Sequence, residues 1–95
     1  MELTMQQREA ARASLAAQRE ERLAVLEELI AAGVQVMSED IYVERSVQVA
    51  PGATLLPGTI LRGKTTVAEG CVIGPNTLLE NAIVGKNTTV NASQV

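Results

Sequence analysis

The 95-residue sequence predicts a mainly β fold, a parallel β-helix of about three coils preceded by one long α-helix. Three observations predict it. All seven glycines and all three prolines fall after residue 32, so helix formers give way sharply to turn formers. From residue 43 on, a branched aliphatic residue recurs at every sixth position, and the whole chain holds a single aromatic residue. We therefore expect a helical segment at 1–33 and a repeat segment at 34–95.

The helix is predicted over residues 5–32, where Ala, Leu, Glu, Arg and Gln dominate. Thr4 and Gln7 have the spacing of a capping box, and Gly33 stands where a left-handed residue ends a helix. We expect the carboxyl-terminal half to pack on the repeat body and interpret its mixed charges as a solvated face. Apolar residues crowd the last turns: Leu23, Val25, Leu26, Leu29 and Ile30.

The repeat runs from Val43 to Val90, with one five-residue step between Leu79 and Val84. Strands of about four residues cannot stand alone, so three of them must form a triangular coil on which the next coil stacks. The expected coils are 43–60, 61–78 and 79–95. Four residues after each aliphatic residue comes a second inward position: Val47, Ala53, Thr59, Thr65, Cys71, Thr77, Ile83 and Thr88. A β-sandwich is the alternative, but its turns recur about every 8–12 residues rather than every six.

Composition removes several function classes. The chain has no histidine, the usual general base and commonest metal ligand, and we expect neither a catalytic nor a metal-binding residue. A net charge of −3 disfavours nucleic acid as a partner. No apolar run approaches the roughly 18 residues of a membrane span, and the amino terminus lacks a signal-like core. We expect a cytoplasmic protein without membrane contact, with Cys71 as an inert core thiol.

A weak anion-binding patch is the one candidate site. Arg62 and Lys64 are predicted near a corner of the second coil, and Lys86 near the matching corner of the next one. Solvated surface cations are the favoured interpretation. Glu69 and Glu80 are both predicted to face outward, and we do not expect them to act as an acid/base pair.

Four segments carry a resemblance to a known family: Ile41-Tyr42-Val43, Pro57-Gly58, Arg62-Gly63-Lys64-Thr65 and Val72-Ile73-Gly74-Pro75-Asn76. The chain resembles the hexapeptide-repeat acyltransferases. Within them it is most similar to the linker helix and first coils of the bacterial bifunctional N-acetylglucosamine-1-phosphate uridyltransferase/glucosamine-1-phosphate acetyltransferases. The resemblance implies a left-handed β-helix, a trimer of side-by-side solenoids and the lineage of UDP-N-acetylglucosamine biosynthesis.

The same resemblance implies no catalytic or cofactor-binding residue in this chain. The family's metal-binding Asn would fall just before Arg12, where this chain has Ala10 and Ala11. In the family, acetyl-CoA and the catalytic histidine belong to later coils. We therefore expect no cofactor in this chain and no enzyme activity of the chain by itself.

The first function hypothesis is a non-catalytic structural and oligomerisation module, a homo-oligomer that could also stack end to end through Val90 and Val95. The alternative is part of an acetyl-CoA- or UTP-dependent transferase whose active site another chain completes. A third hypothesis is a binding module for a nucleotide or polyanion at the three cations Arg62, Lys64 and Lys86.

Overall fold

A computed structural model describes residues 2–91 and shows one helix followed by ten short strands in that range. The helix α1 spans Met5–Ala31. The strands are β1 Gln35–Val36, β2 Tyr42–Val43, β3 Gln48–Val49, β4 Thr54–Leu55, β5 Ile60–Arg62, β6 Thr66–Val67, β7 Val72–Ile73, β8 Leu78–Glu80, β9 Ile83–Val84 and β10 Thr89–Val90. They form three parallel sheets: sheet A (β1-β4-β7-β10), sheet B (β2-β5-β8) and sheet C (β3-β6-β9). The predicted helix followed by a β-helix of about three coils is confirmed.

The amino-terminal half of α1 projects beyond the solenoid. Thr4 caps it through the predicted capping box: its hydroxyl accepts the Gln7 N–H at 3.1 Å, and the Gln7 side chain accepts the Thr4 N–H at 2.9 Å. Residues 2–21 are all exposed. Local capping, rather than packing, therefore holds the start of this helix.

The carboxyl-terminal half of α1 covers the first coil. Val25 and Leu26 are buried in the core, and α1 contacts β1 and β2. Gly33 has a φ of +100°, and the Val34 N–H bonds the Leu29 carbonyl at 2.9 Å, a Schellman arrangement that turns the chain into the solenoid. The predicted contact between helix and repeat body is confirmed.

The coils begin earlier than the repeat in the sequence indicates. Val36 pairs with Leu55, so β1 already belongs to the first coil, whereas we expected that coil to start at Val43. Most register pairs are 18 residues apart, but Val36 and Leu55 are 19 apart. The extra residue lies between β1 and β2, and this longer step hides the first strand from a search for a period of six.

Two inward columns fill the solenoid. The aliphatic column is buried at Val43, Leu55, Leu61, Val67, Ile73, Leu79 and Val84. The second column was predicted wrongly at one position. Ile83 is 86% exposed and Ala82 is buried in its place, because the five-residue step moves the inward position back by one residue. Thr88, at the end of the described solenoid, is exposed.

The second column changes character along the solenoid. In the first coil it consists of Val34, Ile41 and Val47, which are large and pack in one core with α1. In later coils it consists of Ala53, Thr59, Thr65, Cys71 and Thr77, none more than 1% exposed. The large side chains thus fill the end of the solenoid beneath the helix, where no preceding coil supplies contacts.

Buried threonine hydroxyls join successive coils. The Thr59 hydroxyl donates to the Leu56 carbonyl at 2.7 Å and lies 3.1 Å from the Ile73 carbonyl. The Thr65 hydroxyl donates to the Arg62 carbonyl at 2.7 Å and accepts the buried Ala82 N–H at 3.2 Å. The carbonyls of Leu56, Ile73 and Arg62 also accept backbone N–H groups, whereas the Ala82 N–H has the Thr65 hydroxyl as its acceptor.

Glycine in one coil lies under asparagine in the next. At Gly58, φ is +82°, and a Cβ there would overlap the Oδ1 atom of Asn76. Gly63 stands in the same relation to Asn81, whose Oδ1 accepts the Lys64 N–H at 2.8 Å. The asparagines also have positive φ, so each corner stacks two left-handed residues.

Candidate functional site

Arg62 ends β5 on the outer face of sheet B and lies in register with Glu80 of the next coil. The Arg62 guanidinium is 3.6 Å from the Glu80 carboxylate, and both side chains are half exposed. Glu80 therefore offsets the charge of the first cation of the predicted anion patch. Surface pairs of this kind contribute little to stability, on the order of 0–1 kcal/mol.

The structure does not bring the three candidate cations together. Lys64 lies at the corner between β5 and β6, where the next coil is one residue shorter: Asn81 matches Gly63, and the residue after it, Ala82, matches Thr65. Lys86 lies at the other corner of sheet C, between β9 and β10, where it is 3.2 Å from Glu69. Our placement of Lys86 at the matching corner was wrong, because Lys86 is in register with Glu69, one strand further along the coil than Lys64. The anion-binding role of the three cations stays a prediction.

Lys64 differs from the other two cations. Its side chain is exposed and takes part in no ion pair within residues 2–91. Glu69 and Glu80, the outward acidic residues, lie against Lys86 and Arg62 respectively. Lys64 is thus the one cation of the described solenoid without an ion pair, although the Glu44 carboxylate accepts the N–H of the adjacent Gly63 at 2.8 Å.

Cys71 is fully buried in the second column, and its thiol donates to the Gly85 carbonyl at 2.9 Å. The prediction of a core thiol is confirmed. Within the described residues there is no group of three or more Cys, Asp or Glu side chains that could hold a metal ion.

Arg45 joins the helix to the solenoid and was not singled out by the sequence. Its guanidinium binds the carboxylates of Glu21 and Glu28, the latter at 2.8 Å. The hydrogen bond and charge of Arg45 lower the pKa of Glu21 below its ordinary value, and these two carboxylates raise the pKa of Arg45. A further pair joins Arg19 to Glu39 at 3.3 Å. Part of the helix face that we interpreted as solvated therefore orients α1 on the first coil.

A groove lies between α1 and the outer face of sheet B. A cavity of about 520 Å³ there is lined by residues of both elements, among them Arg22, Tyr42 and Arg45. The Nε atom of Arg22 is buried and has no hydrogen-bond partner in the part of the chain that the structure describes. The groove is open, and its walls mix apolar and charged side chains.

Two outer faces of the solenoid expose apolar side chains. On sheet B, Tyr42, Ile60 and Leu78 stack in register, with the first two 42% and 38% exposed. On sheet C, Ile83 is the most exposed large apolar residue of the described chain. Ile83 was predicted to lie in the inward second column, although the five-residue step beside it was a signal for its outward position.

Comparison with curated proteins finds several relatives that share a name. A protein named "Bifunctional protein GlmU" from Thermus thermophilus is 52% identical over 40 residues, which cover 42% of this chain and 9% of the relative. The protein of that name from Halalkalibacterium halodurans is 34% identical over 57 residues, 60% of this chain and 12% of the relative. No family model matches the chain.

The solenoid is a hexapeptide-repeat β-helix. Its three sheets, its two inward columns and its similarity to the GlmU proteins agree on this point. The matched stretch of this hexapeptide-repeat chain corresponds to about a tenth of the length of those relatives. Within residues 2–91 no helix is both long enough and apolar enough to span a membrane.

Proposed function

We propose that this chain is a structural and oligomerisation module of the acetyltransferase/uridyltransferase lineage and does not itself catalyse a reaction. One observation carries the proposal: exposed apolar side chains stand on the outer faces of the solenoid, Ile83 on sheet C and Tyr42 and Ile60 on sheet B. Exposed apolar residues of this kind suit contact with another protein surface.

The charge distribution supports the same proposal. Arg62 and Lys86 face Glu80 and Glu69, which offset their positive charge toward a phosphate or carboxylate ligand. A small chain also gains from association, since a domain of this size buries only about 60–65% of the surface of its unfolded form. The cytoplasmic trimer that the resemblance implies is part of this proposal. The end-to-end contact was predicted at two residues: Val90 is half-buried, and Val95 lies outside the described residues.

Sedimentation velocity at micromolar concentrations tests the proposal. We expect a species with a mass that is a multiple of 10.1 kDa and that dissociates on dilution. The double variant Ile60→Ser/Ile83→Ser should shift the protein toward the monomer. Met5→Ser, which alters an exposed apolar residue at the projecting start of α1, is the matched control and should sediment like the wild type. A wild-type protein that is monomeric throughout this range would contradict the proposal.

The transferase alternative makes a different prediction. A chain that contributes to a site for acetyl-CoA or UTP should release or absorb heat when titrated with that ligand, alone or with the chain that completes the site. We expect no heat from this chain alone. If binding is found and Lys64→Ala abolishes it while the paired Arg62→Ala does not, the anion-binding hypothesis replaces the one proposed here.

A further inference from the structure

Arg22 is the arginine of the groove between α1 and sheet B that pairs with no carboxylate. The two other arginines beside the groove are engaged, since Arg45 binds two carboxylates of α1 and Arg19 binds Glu39. Arg22 takes part in no ion pair within residues 2–91. Its buried Nε atom also has no acceptor there, which is rare in folded proteins. This guanidinium therefore has donors to offer a ligand.

Three cavities share Arg22 and Tyr42 in their walls. Besides the cavity of about 520 Å³ described above, one of about 380 Å³ lies toward the amino-terminal half of α1, and one of about 170 Å³ lies at the start of β2 and β5. Tyr42 is exposed, and Val25 and Val43 add apolar atoms to the wall of the largest cavity. Only the Nε atom of Arg22 is buried, so its two terminal nitrogen atoms remain accessible. The groove thus combines an accessible cation with apolar surface.

We propose that the groove binds a small monocarboxylate with a flat apolar body, its carboxylate on the Arg22 guanidinium and its body against Tyr42. The fork of an arginine matches the two oxygen atoms of a carboxylate. A flat apolar body that covers the Tyr42 ring removes apolar surface of both groups from water. This binding is a role beyond the assembly proposed above, and it uses none of the candidate cations of the solenoid.

Acidic side chains around Arg22 limit the charge of the ligand. Glu21 and Glu44 line the largest cavity, and Asp40 lines the smallest one. Arg45 offsets the charge of Glu21, whereas Glu44 and Asp40 take part in no ion pair within the described chain. A phosphate with two negative charges would be repelled by these carboxylates, while a single carboxylate requires only Arg22 as its counterion. The surroundings therefore favour a singly charged ligand.

Nuclear magnetic resonance of the isotope-labelled protein, titrated with 2-naphthoate, tests the site. We expect saturable shifts of the Arg22 and Tyr42 amide signals with a dissociation constant of about 1 mM, the affinity of a ligand of this size at ordinary efficiency. The neutral 2-naphthamide keeps the rings and lacks the charge, so it should bind at least about tenfold more weakly. Tighter binding of 2-naphthyl phosphate than of 2-naphthoate would overturn the preference for a single charge.

Substitutions at Arg22 assign the binding to this side chain. Arg22→Gln removes the charge and should raise the dissociation constant at least about tenfold. Arg22→Lys keeps the charge without the fork and should give an intermediate value, and it decides the question if Arg22→Gln does not fold. Arg12→Gln alters an exposed arginine on the projecting half of α1, so it is the matched control and should bind like the wild type. Circular dichroism checks the fold of each variant.

The outcomes bear on this inference and leave the assembly role to sedimentation velocity. Saturable shifts that Arg22→Gln weakens and Arg12→Gln preserves support the site. Three results overturn it: no shift at Arg22 and Tyr42 up to about tenfold above the expected dissociation constant, equal affinity for 2-naphthoate and its amide, or unchanged binding by a folded Arg22 variant. Shifts centred on Lys64 would also overturn it, because they would assign the carboxylate to the solenoid cation.

Discussion

Replacing Thr65 by valine tests how the shortened coil is held together. Thr65 is fully buried, and its hydroxyl accepts the buried Ala82 N–H at 3.2 Å, at the corner where the five-residue step removes one residue. Valine keeps the shape of the side chain but offers no acceptor, so the Ala82 N–H loses this partner. The Arg62 carbonyl, to which the hydroxyl donates, would still accept the Asn81 N–H at 3.3 Å.

The expected cost follows from that single orphaned donor. An unsatisfied buried backbone N–H costs about 1–3 kcal/mol, and we expect Thr65→Val to lower the free energy of unfolding by about 2 kcal/mol. Thr77→Val is the matched control, because the Thr77 hydroxyl only donates, to the Pro75 carbonyl at 3.3 Å. With no backbone N–H left unpaired, that substitution should change the free energy of unfolding by less than about 0.5 kcal/mol in either direction.

Urea unfolding followed by far-ultraviolet circular dichroism measures both variants. All proteins should be compared at one concentration, since association with a second copy raises apparent stability. With a slope of about 1–2 kcal/mol per molar urea, the loss of about 2 kcal/mol lowers the midpoint by about 1–2 M. Equal midpoints for Thr65→Val and Thr77→Val would refute the reasoning that the hydroxyl replaces a missing backbone partner at this corner.

Three further substitutions probe the corners, the junction and the helix. Gly58→Ala should lower the free energy of unfolding by about 1–2 kcal/mol, since φ of Gly58 is +82° and the corner has no room for a Cβ. Gly85→Ala should leave the urea midpoint nearly unchanged, because a Cβ there meets no atom within 4 Å. Arg45→Gln should destabilise the protein most above pH 4.5, the ordinary pKa of Glu21, and progressively less as the pH falls through the lowered pKa of Glu21 in the folded protein. A difference in urea midpoint from the wild type that does not shrink on acidification would contradict this. Thr4→Ala should weaken the helix start by about 0.5–2 kcal/mol, lowering helical ellipticity but not the urea midpoint, because that end of α1 does not pack on the solenoid; a lower midpoint would contradict this.

Much of the fold could be predicted because its causes are local or periodic. The capping box at Thr4 and the helix end at Gly33 depend only on neighbouring residues. The six-residue period identifies the inward columns without knowledge of which strands pair. The first strand was missed because the step from Val36 to Val43 is seven residues, so the period alone cannot detect it.

The candidate site was harder to predict because its contacts join different coils. Arg62 and Glu80 are 18 residues apart, and the regular coil length is enough to pair them. Glu69 and Lys86 are 17 apart, so their contact follows only once the shortened coil is placed. Arg45 binds the helix, and that contact depends on the rotation and crossing angle of α1, which no periodicity in the sequence specifies.

A single missing residue links the interior of the solenoid to its surface. Val67 pairs with Val84, a separation of 17 residues, so the third coil is one residue short. The shortening places Ala82 in the interior and its N–H on the Thr65 hydroxyl, and it turns Ile83 outward. Restoring a regular coil by inserting one serine between Ile83 and Val84 should therefore weaken self-association, because Ile83 then takes the inward position opposite Thr65. Sedimentation velocity measures the association of that insertion variant. If the variant retained its fold and associated like the wild type, the connection between the shortened coil and self-association would be contradicted.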